Sequence, residues 1–124
     1  YVYDIGTGQQ RLVTESNNPT FAPRWSPDGR NILFSMAIAG NTDIYRVPAS
    51  GGTPVRLTTS PGIDVGGSYS PDGSQIVFES DRSGGQQIYV MNADGSNVVK
   101  LVDANVQLSR WDYERVSWTR VGRR

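Results

Sequence analysis

The sequence predicts an all-β protein, a β-propeller of four-stranded antiparallel blades with about three blades in the chain. Three observations carry the prediction. The chain repeats itself at a step of about 44 residues, each repeat divides into four short strand-like segments separated by turn residues, and the second segment is apolar on both faces.

At the 44-residue step Ser26-Pro27-Asp28-Gly29 pairs with Ser70-Pro71-Asp72-Gly73 without a gap. The match continues with Ile32 and Ile76, Phe34 and Phe78, Gly40 and Gly84, Ile44-Tyr45 and Ile88-Tyr89, Gly51 and Gly95, and Leu57 and Leu101. The step backwards takes Tyr45 to Tyr1. A turn one residue shorter would then bring Arg56-Leu57 onto Arg11-Leu12.

In chain order, residues 1–14 supply the outer two strands of a split blade, Tyr1 to Ile5 and Gln9 to Thr14. A full blade follows over 20–58, with strands near Pro23 to Ser26, Asn31 to Met36, Asp43 to Pro48 and Pro54 to Thr58. A second occupies 64–102, and 106–121 reads as a divergent pair of inner strands. Aligning Trp111 with Trp25 and Tyr69 puts Asp112 to Arg115 at the turn and Val116 to Val121 on the second strand. An alternative alignment starts the first strand at Trp118 and leaves the last unit incomplete.

Each Ser-Pro-Asp-Gly is a strand-reversal device. Proline presets φ at the first corner, aspartate hydrogen-bonds its own backbone, and glycine takes the positive φ that closes the turn. Asp28 and Asp72 are therefore read as structural. Ile32-Leu33-Phe34 and Ile76-Val77-Phe78 are unbroken apolar runs, which require cover on both sheet faces. Radial stacking of blades meets that requirement, with a β-sandwich as the weaker alternative.

Composition narrows function. Twelve Lys and Arg balance twelve Asp and Glu, so no net field draws the chain to nucleic acid or an anionic membrane. No apolar run approaches the roughly 18 residues of a membrane span. The basic tail, Arg110, Arg115, Arg120, Arg123 and Arg124 against Asp112 and Glu114, reads as a solvated face or as stems packed over Trp rings. With neither Cys nor His, the chain lacks the thiolate and imidazole on which nucleophilic triads and His- or Cys-bearing zinc sites depend. Paired carboxylates are the one remaining catalytic route, and most acids here sit in turns. No catalytic residue, metal or cofactor is expected.

Arg24-Trp25-Ser26-Pro27-Asp28-Gly29, Ile32-Leu33-Phe34-Ser35, Asp43-Ile44-Tyr45 and Gly51-Gly52 through Arg56-Leu57-Thr58 resemble the propeller repeat of the TolB family. The second copy is closer still, in Tyr69-Ser70-Pro71-Asp72-Gly73, Ile76 to Arg82 and Gln87 to Gly95. Blades of prolyl-oligopeptidase-type hydrolases carry a similar repeat. Asn41-Thr42-Asp43-Ile44-Tyr45 and Ile63-Asp64 leading into Tyr69 favour TolB. The resemblance spans residues 1 to about 103.

It implies a non-enzymatic, periplasmic adaptor of the Tol-Pal system that binds the lipoprotein Pal through one propeller face. The family's N-terminal α/β domain and TolA-contacting segment do not fall within these residues, so contact with TolA is not expected of them. The resemblance also places the loops entering the innermost strands at the partner-facing mouth of the central channel. Those loops hold Thr20, Phe21 and Ala22 in one unit and Ile63, Asp64 and Val65 in the next. Phe21 and Ile63 either plug gaps between blades or touch the partner. Asp64 is either a solvated loop carboxylate or a group that meets a partner's amide or a cation. Because closed propellers usually have about four to eight blades, two chains exchanging strands head to tail are expected to close a six-bladed ring as a homodimer, the alternative being that the chain is part of a longer propeller.

Overall fold

A computed structural model describes residues 1–102, and the strands expected within 106–121 lie outside them. Among the described residues ten strands are formed: β1 (Val2–Tyr3), β2 (Gln10–Arg11), β3 (Thr20–Trp25), β4 (Asn31–Ile38), β5 (Asn41–Pro48), β6 (Val55–Arg56), β7 (Asp64–Tyr69), β8 (Gln75–Ser80), β9 (Gln87–Asn92) and β10 (Val99–Val102). Neighbours in sequence pair antiparallel, giving a β1-β2 ribbon and two four-stranded meanders, β3-β4-β5-β6 and β7-β8-β9-β10. Among the described residues there is no helix. These are propeller blades.

The repeat is obeyed at the level of single hydrogen-bonded pairs. Phe34 lies opposite Tyr45 and Phe78 opposite Tyr89, with ring centroids 5.9 and 5.8 Å apart. Such cross-strand aromatic pairs are a main stabiliser of antiparallel sheets. In the ribbon Val2 faces Arg11, and 44 residues later Arg46 faces Val55. The step is thus preserved there, which corrects the shortened turn expected from Arg11-Leu12. Val13, not Leu12, stands in the place of Leu57, and both are buried at 7% exposure. The outward Leu12 had matched by residue type alone.

Strand limits also differ from expectation. β4 and β5 run on to Ile38 and back from Asn41, because Ala39 and Gly40 both take left-handed φ, 50° and 86°, as a two-residue type I′ hairpin requires. β3 begins at Thr20 rather than Pro23, its pairing with β4 carried past a bulge between Phe21 and Arg24. β6, β1 and β2 are only two residues each, shorter than the expected segments.

The apolar runs divide by face as expected. Ile32, Phe34, Met36, Tyr45 and Val47 pack with Val13 and Val2 on one side of the first meander. Leu33, Ile44 and Leu57 leave its other side and meet Ile76, Phe78, Tyr89 and Met91 of the second. β7 touches β3, β4 and β5, whereas the outer strands β6 and β10 do not meet, so the blades are wedged apart towards the outside.

Each Ser-Pro-Asp-Gly turn carries the same network. Asp28 Oδ1 accepts the Ser26 hydroxyl at 2.6 Å and the Arg30 amide at 3.0 Å, while Ser26 Oγ accepts the Asn31 amide. Asp72, Ser70, Ser74 and Gln75 repeat it. Gly29 and Gly73 close the turns at φ 70° and 75°.

Candidate functional site

The meander topology sorts the chain's loops onto two ends of the blades. β3 and β7 run from Thr20 and Asp64 to the Ser-Pro-Asp-Gly turns, so those turns share one end and the starts of the inner strands share the other. A backbone chain ties the second end together. Ala37 N–H donates to Pro19 O, Ala37 pairs with Thr42, Thr42 N–H donates to Gly62 O, and Asp81 N–H donates to Ile63 O. Ile63 also bridges Thr42 in parallel, joining one blade to the next.

All six residues singled out from the sequence lie at this rim, five of them on strands and Ile63 in the loop just before β7. Thr20, exposed, faces Met36, and half-buried Phe21 faces Ser35. Ala22 occupies the bulge at φ 53°, where a side chain is strained. Its repeat counterpart is Gly66, at φ 70°. Ile63 precedes β7 and is 41% exposed, and Val65 is half-buried opposite Glu79. The structure divides them into two groups: Thr20 and Phe21 line a groove of about 530 Å³ beside the ribbon, whereas Ile63, Asp64 and Val65 sit at the junction between the meanders.

Asp64 corrects the expectation of a solvated loop carboxylate, because it is fully buried. Its Oδ2 accepts Arg82 Nη2 at 2.9 Å and Ser60 Oγ at 3.1 Å, and its Oδ1 has no hydrogen-bond partner. Arg82 is held in turn: Nε donates to Ser80 Oγ at 2.8 Å, and the guanidinium lies over the rings of Phe78 and Tyr89, 5.3 and 4.8 Å from their centroids. A buried carboxylate requires such a charged, hydrogen-bonded neighbour.

Three further rim residues were not singled out from the sequence. Asp43 accepts Arg56 Nη2 at 2.6 Å, Asn41 Nδ2 at 2.8 Å and Thr58 Oγ1 at 3.2 Å. Asn41 Oδ1 takes the Gly62 amide at 2.8 Å, so this network fastens the β6–β7 loop that presents Ile63. Gly62 takes φ 115°, which residues with a side chain rarely adopt, and a Cβ there would also have to displace the Asp81 carboxylate.

Chemically the rim offers fixed hydrogen-bonding groups and apolar contact. Among the described residues no three His, Cys, Asp or Glu side chains converge to hold a metal. At the opposite end the turn carboxyls are held below their ordinary range: Asp72 at about 2, chiefly by the Ser70 hydroxyl, and Asp28 and Asp94 downwards, chiefly by the hydroxyls of Ser26 and Ser96. Burial pushes the Tyr69 phenol up.

Comparison with known proteins agrees with this architecture. The chain is 40% identical over 63 residues to the Tol-Pal system protein TolB of Wolinella succinogenes, covering 51% of this chain and 15% of that protein. The crystal structure of TolB from Acinetobacter baumannii superposes with a TM-score of 0.69 at 36% identity, over 80% of this chain and 25% of that one. A puromycin hydrolase superposes with a TM-score of 0.61 at 18% identity, over 73% of this chain and 15% of the other, a likeness of fold alone. The chain thus spans a quarter or less of the length of these relatives. The family model for the TolB beta propeller domain matches residues 1–114, and the chain belongs to that family.

Proposed function

We propose that this chain acts by binding and not by catalysis, as a propeller segment of a periplasmic Tol-Pal adaptor, and that its inner-strand rim takes a Pal-type lipoprotein. The observation that carries the reading is the construction of the rim. Ile63 is presented 41% exposed on a loop fixed by Asn41, Asp43, Asp64 and Arg82, and the bulge of β3 at the same end holds a strained Ala22. Exposed apolar residues on rigid supports are the usual anchors of interfaces, and backbone strain concentrates at functional positions. The resemblance to TolB supplies the partner class and the compartment. The working unit is read as two chains completing one propeller, or as a longer propeller of which these residues are part.

Binding of a soluble Pal-type lipoprotein, followed by calorimetry, tests the reading. Ile63→Asp is expected to weaken affinity at least tenfold, about 1.4 kcal/mol or more. Asp28→Asn, at the opposite end, leaves it within about twofold. No binding by the intact assembly, under conditions where a full-length TolB binds, would remove the proposal.

A further inference from the structure

The link between β6 and β7 is gripped at the rim more completely than the fold needs. All four polar backbone groups of Gly62 and Ile63 are taken by the chain itself. Gly62 N–H donates to Asn41 Oδ1 at 2.8 Å, and Gly62 O accepts Thr42 N–H at 3.1 Å. Ile63 N–H donates to Asp81 Oδ1 at 2.8 Å, and Ile63 O accepts Asp81 N–H at 3.2 Å, so one residue holds the backbone of Ile63 on both its donor and its acceptor. Arg82, next in sequence, holds the carboxylate of Asp64, next after Ile63, at 2.9 Å. With both peptide groups fixed, the direction in which the Ile63 side chain leaves the rim is fixed as well.

The preceding unit shows which of these bonds a blade requires. Pro19 stands at the place of Ile63, and Ala37 at that of Asp81. The bond from Ala37 N–H to Pro19 O is kept, at 3.0 Å. The other has neither partner, because proline has no amide hydrogen to give and alanine no carboxylate to receive one. Thr20 and Ile38 likewise stand where Asp64 and Arg82 pair. β3 and β4 nevertheless form in register, Thr20 opposite Met36. The Asp81 carboxylate therefore exceeds what strand pairing asks, and what it adds is the fixed presentation of an exposed isoleucine.

We propose that Asp81 is a positioning residue for partner binding, acting through the backbone of Ile63 and not by touching the partner. The inference rests on the rim reading above and deepens it. An anchor that is already ordered loses less conformational freedom when a partner closes on it, and affinity rises accordingly.

Asp81→Ala and Asp81→Asn, made in the intact assembly, are compared for affinity to a soluble Pal-type lipoprotein and, without it, for amide hydrogen exchange. Alanine is the residue the first unit carries at this place, and asparagine keeps an Oδ1 that accepts the amide. Asp81→Ala is expected to weaken binding about five- to tenfold and to speed exchange of the Ile63 amide about tenfold or more, while the β8 and β9 amides stay protected. Asp81→Asn should bring both back to within about twofold of the unsubstituted protein. Unchanged affinity in Asp81→Ala, alongside weakened binding by Ile63→Asp, overturns the inference and leaves the rim reading standing. A loss in Asp81→Asn as large as in Asp81→Ala shows that charge and not the acceptor matters, and overturns it as well. Loss of protection throughout β8 and β9 in Asp81→Ala marks a residue that the blade itself requires, which also overturns it. An unsubstituted protein that fails to bind removes the rim reading and, with it, the role assigned to Asp81.

Discussion

Replacing Arg82 by methionine should cost more stability than neutralising the acid it holds, and the asymmetry follows from where water can go. Asp64 has a fully buried side chain, while Arg82 is 21% exposed. Arg82→Met strands a carboxylate in the interior with Ser60 Oγ as its remaining donor, and it removes the stacking on Phe78 and Tyr89. Breaking a buried pair from this side typically costs about 3–5 kcal/mol. The partial exposure of Arg82 lets some water follow, so the lower end, about 3 kcal/mol, is expected. Asp64→Asn leaves a guanidinium that keeps Ser80, both rings and solvent, and should cost about 1–2 kcal/mol. The double change Asp64→Leu/Arg82→Met should recover most of the larger loss, since an apolar pair of similar volume leaves no buried charge. Urea unfolding followed by tryptophan fluorescence, at one fixed protein concentration because assembly shifts apparent stability, gives the three values. If Arg82→Met costs no more than Asp64→Asn, Asp64 is hydrated and the account of the rim fails.

Two further outcomes test the blade contacts and the turns. Gly95→Ala should destabilise clearly more than Gly84→Ala: both have φ near 90°, a strain of about 1–2 kcal/mol for a side chain, but a Cβ at Gly95 would lie 2.7 Å from Leu57 O of the preceding blade, whereas Gly84 has open space around it. Equal shifts in melting temperature would refute the packing of that turn on its neighbour. The Asp72 carboxyl, at about 2 against an ordinary 3.8, contributes stability that is fully present above about pH 4 and is lost as pH falls through 2. Asp72→Asn should therefore flatten the pH dependence of the urea midpoint in that window, and an unchanged slope would show that the turn bonds do not favour the ionised form.

Whether a feature was legible in the sequence depended on whether it was repeated or differed between units. The blades were legible because Ser-Pro-Asp-Gly, the apolar triplets and the Ile-Tyr pairs recur at one step, and identical local chemistry gives identical turns and strands. The ion pairs were not, because they are what the units do not share. Asp64 and Arg82 stand where the first unit has Thr20 and Ile38, and Asp43 and Arg56 where the second has Gln87 and Lys100. A reading by similarity discards such positions, yet Asp64 and Arg82 are replaced together by the uncharged Thr20 and Ile38, whereas Lys100 keeps the cation of the half-exposed Arg56. A buried charge and its counter-charge must be gained or lost jointly, since either alone leaves an unpaired ion inside the fold. The compensated difference between repeats was therefore the available signal for Arg82. The same reasoning explains why Asp64 was read as a loop carboxylate and not as half of a buried ion pair: its neighbours in sequence, Pro61, Gly62 and Gly66, are turn formers, and the residue that neutralises it lies just past the end of the adjacent strand β8.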